Sequence, residues 1–183
     1  KKFEIIKYVL NRNYSIKTSE LKKIDLKDII KIKVNIKQIG SDRLANSISV
    51  SKLNSNYIII DFGTATTFDV IIKNNYYGGI IAPGINLSIK SLENNASLIP
   101  NFTLQKVKKV IGKNTLSALR SGFFWGYTGL INNIIKLIKI ETKKNFKIIA
   151  TGGYSHLFKS SLDYKVSIDK DITIKGLIKI INK

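Results

Sequence analysis

One uninterrupted stretch, residues 58–72, constrains this chain more than any other part of its sequence. It reads Ile-Ile-Ile-Asp-Phe-Gly-Thr-Ala-Thr-Thr-Phe-Asp-Val-Ile-Ile. An aliphatic run leads into an acidic residue, a glycine and three threonines, and apolar alternation then resumes at Phe68, Val70 and Ile72. This pattern predicts a β-hairpin over residues 57–72 whose turn carries small polar groups.

The residues of the predicted turn are of the types that contact nucleotide phosphates. Gly63 lets the backbone approach a ligand closely, and the threonines, among them Thr64, supply hydroxyl groups and N–H donors. Asp61 at the end of the first strand is placed to hold a cation beside phosphates. An ordinary polar turn explains these residues equally well. A protein-kinase Asp-Phe-Gly motif is not supported, since no Gly-rich loop, Val-Ala-Ile-Lys or His-Arg-Asp motif accompanies it.

Composition narrows the classes of function. A hydrophobic content of 44% over 183 residues predicts a folded protein with a sizeable core. The chain has no cysteine, which excludes disulfides, thiolate metal sites and thiol catalysis and agrees with the cytoplasmic location that we expect. Its single histidine, His156, excludes most zinc sites and Ser-His triads, and we assign it no role.

The net charge of +19 suggests a polyanionic partner, but its distribution does not. Lysine supplies nearly all of the positive charge, and the lysines are scattered among isoleucine and asparagine along the whole chain. A nucleic-acid groove would instead need clustered basic residues with interleaved aromatic rings. We therefore expect no specific nucleic-acid partner and no membrane partner, although non-specific binding to polyanions at low salt follows from the charge.

Apolar periodicity predicts the other elements of secondary structure. Helices are predicted at residues 3–12, 41–53, 86–98 and 172–181, with one long helix or two within 114–140, and strands at 29–36, before Gly78 and at 147–150. In the helix over 86–98 we expect Leu87, Leu92 and Leu98 to point inward. We interpret the aromatic run of residues 123–127 as core or dimer interface.

Four further motifs, together with residues 61–67, carry a family resemblance. They are Gly40-Ser41-Asp42-Arg43, Gly-Gly-Ile-Ile-Ala-Pro-Gly-Ile at 78–85, Ile-Gly-Lys-Asn-Thr at 111–115 and Ile-Ala-Thr-Gly-Gly at 149–153. In this order and spacing, the chain resembles the type III pantothenate kinases. The resemblance implies an α/β ribonuclease-H-like fold of the actin-like ATPase superfamily, a mixed sheet with flanking helices. It also implies ATP-dependent phosphorylation of pantothenate, the first step of coenzyme A biosynthesis.

The resemblance implies roles for individual residues at the substrate. Asp42 would accept the proton of the pantothenate hydroxyl. An arginine fork suits the carboxylate of pantothenate, so Arg43 would orient the substrate. The substrate-binding set is Gly40, Ser41, Asp42 and Arg43. Taken without the family, a helix cap at Asp42 and a surface position for Arg43 explain the same residues better.

For the nucleotide, the resemblance implies that ATP with Mg²⁺ binds at Thr64 and at Gly152 and Gly153, which end a predicted strand. It assigns K⁺, or NH₄⁺, to Asp61. Thr115 would bind substrate as part of a dimeric site, so we expect a homodimer; the alternative for Thr115 is a helix N-cap. We expect Asp69 to be structural.

The chain also departs from the family pattern. The substrate-contacting tyrosine of the family falls on Lys33, so this wall of the pocket is expected to differ. The Asp-x-Gly-Asn-Thr-Asn-type phosphate loop has no counterpart in the sequence. The resemblance therefore implies an incomplete chain, with residues 1–39 as the C-terminal remnant of a first ribonuclease-H-like domain and residues 40–183 as the second. The alternative is a non-catalytic family member, a pseudoenzyme or a regulatory protein that assists transcription.

Overall fold

A mixed β-sheet lies at the centre of the protein. The computed structural model describes residues 2–51 and 54–182. Within these ranges the sheet has six strands in the order β1-β4-β3-β2-β5-β6. The hairpins β2–β3 and β3–β4 are antiparallel, while the pairs β1–β4, β2–β5 and β5–β6 are parallel. The strands are β1 (Lys31–Ile32), β2 (Tyr57–Phe62), β3 (Ala65–Ile72), β4 (Asn75–Pro83), β5 (Lys147–Gly152) and β6 (Val166–Ile168).

Helices cover both faces of this sheet. In the described ranges they are α1 (Lys2–Tyr14), α2 (Ser41–Ser49), α3 (Ile85–Asn95), α4 (Thr115–Thr142), α5 (Ser155–Phe158) and α6 (Ile172–Ile181), with 3₁₀ turns at Leu21–Lys23, Ile36–Gln38 and Lys159–Ser161. None of the helices in the described part of the chain is both long and apolar enough to cross a bilayer.

Most of the predicted elements are confirmed. The hairpin predicted over residues 57–72 is formed by β2 and β3. The region 114–140 is one continuous helix, α4, and its start is fixed by a capping box. In this box the side chain of Asn114 accepts a hydrogen bond from the Ser117 N–H at 2.8 Å, and the Ser117 hydroxyl oxygen accepts one from the Asn114 N–H at 3.1 Å.

Two predicted elements are shorter than expected. The strand predicted over residues 29–36 pairs with β4 only at Lys31–Ile32. Beyond it, the side-chain oxygen of Asn35 accepts the Lys37 N–H at 3.0 Å, which starts a 3₁₀ turn and ends the extended backbone. The helix predicted over 41–53 ends at Ser49. Its last two predicted positions, 52 and 53, lie outside the described residues.

The inward face of α3 was predicted wrongly. On α3 the buried residues are Ile85 and Ile89, whereas Leu87 and Leu98 are exposed. On α4 the helical period alone does not determine the buried face, because apolar residues occupy adjacent positions along this helix. The buried α4 residues are Ser121, Phe124, Tyr127, Thr128, Ile131, Ile135 and Ile138.

Strand alternation divides the core into two layers. Ile58 and Ile60 belong to the cluster that contains the buried residues of α4, and Ile59 belongs to the cluster that contains those of α2 and α6. Asp61 follows Ile59 on the same face of β2 because side chains alternate along a strand. Asp69 of β3 pairs directly with Ile59, so it lies on this face as well. The α2 face of the sheet therefore carries two carboxylates.

Close helix packing fixes α2 over those carboxylates. Gly176 of α6 is buried against the backbone of α2, and a Cβ atom added to it would lie 1.9 Å from the carbonyl oxygen of Ala45. Only a residue without a side chain allows this approach of the two helices.

We expect Gly176→Ala to lower the free energy of unfolding by about 1–3 kcal/mol, because the added methyl group has to push α6 away from α2. Gly129→Ala is the matched control, since a Cβ at this helical position in α4 meets no atom within 4 Å. The control is expected to raise stability by up to about 1 kcal/mol. Urea unfolding measures both variants, and an unchanged midpoint for Gly176→Ala would contradict the packing described.

Candidate active site

The first turn of α2 presents a carboxylate to solvent. The helix begins at Ser41, and its N-cap, Gly40, makes no side-chain hydrogen bond. Asp42 is exposed, and its Oδ1 accepts the N–H of Arg43 at 2.8 Å. The alternative interpretation of Asp42 as the helix cap is wrong, because Gly40 is the N-cap of α2, and the exposed carboxylate of Asp42 remains accessible to a substrate.

Arg43 lies against the sheet and pairs with Asp69. Its Nε donates to Asp69 Oδ1 at 2.9 Å, and its Nη2 lies 2.7 Å from the same oxygen. The hydroxyl of Tyr76 in β4 also donates to this oxygen, at 2.8 Å. The Asp69 side chain is 0% exposed and that of Arg43 is 12% exposed. Sequence reasoning missed this link, although the alternation that places Ile59 in the core also places Asp69 beneath α2.

Burial raises the pKa values of both Asp69 and Tyr76. Removal from water raises the pKa of the Asp69 carboxyl to about 6, and the charge and hydrogen bonds of Arg43, with the hydrogen bond of Tyr76, oppose the rise. Burial also raises the pKa of the Tyr76 hydroxyl, which the adjacent carboxylate reinforces. The charge of Arg43 and the two hydrogen bonds favour the ionised form of Asp69, and the raised pKa of Tyr76 keeps its hydroxyl protonated as a donor.

Asp61 ends β2 beneath the same helix. The buried side chain of Asn46 in α2 donates to Asp61 Oδ2 at 3.2 Å. The amide oxygen of Asn46 in turn accepts a hydrogen bond from the Thr173 hydroxyl of α6 at 2.6 Å. Burial raises the pKa of Asp61, the hydrogen bond from Asn46 lowers it, and the nearby charge of Asp42 raises it further. Two helices thus fix the orientation of this carboxylate.

The side chains around Asp61 suit a hard cation. Thr67 of β3 and Thr151 of β5 both pair directly with Asp61, so all three lie on one face of the sheet. The Thr67 hydroxyl is buried and has no hydrogen-bond partner within the described residues. Oxygen donors of this kind favour alkali and alkaline-earth ions over transition metals. Since the described part of the chain has no group of three or more potential His, Cys, Asp or Glu ligands, any cation here would rely on neutral oxygens as well.

The residues predicted to contact ATP meet at one end of the sheet. Thr64 is exposed in the turn between β2 and β3. Gly152, at the end of β5, pairs with Phe62 in β2, and the Gly153 N–H donates to the Phe62 carbonyl at 3.3 Å. Gly152 has a φ of +84°, and a Cβ there would lie 2.6 Å from the Phe62 oxygen, so this position requires glycine. A stretch of backbone without side chains, at Gly152 and Gly153, therefore lies beside the turn that contains Thr64.

A cavity of about 510 Å³ lies beside Arg43. It follows the edge of β4, where β1 pairs only with Asn75 and Tyr76, so that the later residues of β4 pair with β3 on one side and with none of the described strands on the other. Lys33, the position where the resemblance placed a tyrosine, is not among the residues that line this cavity. The lining includes Val34, Asn35, Gln38, Arg43, Gly78 and Gly79.

Thr115 lies apart from these residues in the single chain. It is the first residue of α4 and lines a separate apolar groove of about 640 Å³, together with Pro83, Leu119, Phe123 and Leu130. The alternative interpretation of Thr115 as the N-cap of α4 is wrong, because Asn114 caps this helix. The structure therefore brings together Asp42, Arg43, Asp61, Thr64 and the Gly152–Gly153 pair around one side of the sheet, but not Thr115.

The sheet thus carries an exposed carboxylate, an arginine beside a cavity and an acidic strand end that suits a cation, which are the kinds of groups that phosphoryl transfer uses. Comparison with known proteins gives the family. The family model described as type III pantothenate kinase matches residues 2–137. The chain is 62% identical over 179 residues to the type III pantothenate kinase of Pelagibacter ubique, covering 98% of this chain and 72% of that protein. The chain belongs to the type III pantothenate kinase family.

Other relatives carry the same description at lower identity. The type III pantothenate kinase of a Ruegeria species is 42% identical over 144 residues, which is 78% of this chain and 55% of that protein. The one from Paramagnetospirillum magneticum is 43% identical over 145 residues, which is 78% of this chain and 56% of that protein. The chain thus spans little more than half the length of these two relatives. Family membership confirms the predicted enzyme class, a kinase, and favours it over a non-catalytic protein.

Solved structures support the fold. A protein from Campylobacter jejuni described as a Baf family transcriptional activator superimposes with a TM-score of 0.62 at 24% identity, over 91% of this chain and 80% of that one. The Alp12 filament structure gives a TM-score of 0.51 at 18% identity, over 75% of this chain and 51% of that one. At such low identities the likeness concerns the fold alone. The predicted α/β fold, a mixed sheet with flanking helices, is confirmed.

Proposed function

We propose that this protein transfers the γ-phosphoryl group of ATP to the terminal primary hydroxyl of pantothenate, giving 4′-phosphopantothenate. The observation that carries the proposal is the start of α2. There, an exposed carboxylate and a guanidinium follow one another in the chain, beside a cavity and above the acidic end of β2. These are the groups needed to activate an alcohol and to orient a substrate that itself carries a carboxylate.

Asp42 is the proposed proton acceptor. As the hydroxyl oxygen of pantothenate forms its bond to the γ-phosphorus, the bond from that phosphorus to the ADP oxygen breaks, and the hydroxyl proton passes to the Asp42 carboxylate. Because Asp42 is exposed and its Oδ1 already accepts a backbone N–H, its orientation is restricted without its being buried. Arg43 would bind the pantothenate carboxylate, and the backbone of Gly40 and Ser41 would contact the substrate at the helix start.

ATP would bind at the hairpin turn. Thr64 would contact the phosphates through its hydroxyl and backbone N–H. The absence of side chains at Gly152 and Gly153 would leave room for the adenosine. Mg²⁺ bound with the nucleotide would supply positive charge that offsets the negative charge developing on the phosphates during transfer. Asp61, with its neighbouring threonine oxygens, would hold K⁺ or NH₄⁺ beside the phosphates.

The apolar groove along α4 supports a homodimer. Its exposed floor would bury apolar surface against a second copy, and such a contact would bring Thr115 of one copy toward the cavity of the other.

The substrates, ATP and pantothenate, are those of central metabolism, so we place the protein in the cytoplasm. We also propose the domain division into residues 1–39 and 40–183, since the described residues before position 40 contribute only the short edge strand β1 to the sheet.

Asp42→Asn tests the proton acceptor in the natural full-length protein. Asparagine keeps the size of the side chain and can still accept the Arg43 N–H, but it cannot take up a proton. Turnover is expected to fall by about 10²–10⁴-fold with little change in thermal stability. Asp163→Asn, an exposed acidic position away from the site, is the matched control and should leave turnover unchanged. Turnover of Asp42→Asn within a few-fold of the parent would contradict the role of Asp42 as proton acceptor.

The cation proposal is tested by replacing potassium chloride with choline chloride at constant ionic strength. A carboxylate beside bound triphosphate is repelled by it unless a cation lies between them. We expect the parent to require K⁺ or NH₄⁺ and to be poorly supported by Na⁺. Asp61→Asn should weaken this dependence and raise the KM for ATP. Full activity of the parent in choline alone would show that Asp61 holds no catalytic cation.

A further inference from the structure

A fully buried carboxylate that the proposed mechanism does not use lies directly behind Arg43. The side chain of Asp69 is 0% exposed. Its Oδ1 accepts hydrogen bonds from Arg43 Nε at 2.9 Å and from the Tyr76 hydroxyl at 2.8 Å, while Arg43 Nη2 lies 2.7 Å away. Its Oδ2 is also buried and has no hydrogen-bond partner within the described residues. The Asp69 carboxylate thus binds the Arg43 guanidinium and the Tyr76 hydroxyl.

The neighbouring strand, β4, has a glycine where the Arg43–Asp69 pair lies. Gly79 of β4 pairs directly with Asp69 across the β3–β4 ladder. A Cβ at Gly79 would lie 2.4 Å from Arg43 Nη2 and 3.1 Å from Asp69 Oδ1. The guanidinium therefore occupies the space in which any other residue would place its side chain. The absence of a side chain at Gly79 leaves room for the Arg43 guanidinium to reach the buried carboxylate of Asp69.

The contacts with Asp69 use only part of the guanidinium. Nε and Nη2 face the carboxylate, whereas Nη1 takes no part in these contacts. Arg43 also lines the cavity of about 510 Å³ with Asn35 and Gln38. A carboxylate that enters this cavity would meet a guanidinium whose position and plane are already fixed. Arginine recognises carboxylates through that planar geometry.

Stability alone is a weak reason for such a pair. Buried ion pairs pay a large desolvation cost, and well-packed apolar residues often replace them without loss of stability. Holding the arginine in its binding orientation does have a functional benefit, because a side chain already fixed loses less rotamer freedom when ligand binds. We propose that Asp69, assisted by Tyr76, is a positioning residue that orients Arg43 toward the carboxylate of the substrate. This inference rests on the proposed substrate-binding role of Arg43.

The inference predicts a loss of selectivity rather than a general loss of activity. If Asp69 orients Arg43, replacing Asp69 should weaken the binding of pantothenate, which carries a carboxylate. The replacement should have a much smaller effect on the binding of an analogue in which a hydroxymethyl group replaces that carboxylate. A purely structural role would instead impair both substrates to a similar extent. The comparison of the two substrates therefore separates positioning from folding.

The experiment uses steady-state kinetics of the natural full-length protein and its Asp69→Asn variant with ATP and each of the two acceptors. We expect the KM for pantothenate to rise at least about 10-fold, the loss typical of a hydrogen bond to a charged group, while the KM for ATP stays within about twofold. The preference for pantothenate over the analogue, measured as the ratio of kcat/KM values, should fall by a similar factor. Asp163→Asn is the matched control and should change neither quantity.

A pantothenate KM for Asp69→Asn within about twofold of the parent, or an equal loss for both acceptors, would overturn the inference. If this variant does not fold, Tyr76→Phe decides in its place, because it removes one hydroxyl that bonds Asp69 and leaves the ion pair. A smaller rise in the pantothenate KM, of about 3–10-fold, supports the inference, and an unchanged KM overturns it. A parent protein that phosphorylates neither acceptor would refute the proposed function itself, so the two failures are distinguishable.

Discussion

The register of β2 against β3 is the constraint on which the site depends. Ile59 pairs with Asp69 and Asp61 pairs with Thr67, so every second residue of both strands lies beneath α2. A slip of one residue would turn the side chains of one strand to the opposite face, so that Asp61 and Asp69 would no longer lie together beneath α2. If β2 slipped, the Asp61 carboxylate would face the apolar layer beneath α4, where burying an unpaired charge is costly. Core packing thus fixes the position of the polar groups.

The helix above the sheet completes the site with side chains spaced along one face. Arg43 reaches Asp69, and Asn46, three residues later, reaches Asp61, since residues three apart share a helix face. The bond from Thr173 to Asn46 and the close contact at Gly176 extend this arrangement to α6. Buried polar groups without hydrogen-bond partners would destabilise the fold. Here their partners lie on helices and strands whose positions are set by apolar packing. Asp42, one residue before Arg43, is left exposed at the helix start.

Sequence patterns predicted those parts of the molecule that local rules determine. The hairpin followed from alternation, the extent of α6 from its apolar period, and the grouping of Asp42, Arg43, Asp61 and Thr64 from the motifs of a family. The short strand β1 was overestimated because one asparagine side chain, that of Asn35, redirects the backbone. The buried face of α4 could not be predicted from the sequence, because apolar residues surround most of this helix. The pairing of Asp69 with Arg43 joins residues 26 positions apart, and only the tertiary structure shows it.

A crystal structure of the natural full-length protein with pantothenate and a non-hydrolysable ATP analogue tests the central claim most directly. That claim is that the start of α2 binds the acceptor substrate. The account predicts that the carboxylate of pantothenate lies within hydrogen-bond distance of the Arg43 guanidinium and that its primary hydroxyl lies about 2.6–3.2 Å from an Asp42 oxygen. Pantothenate bound elsewhere, without contact to residues 40–43, would contradict it.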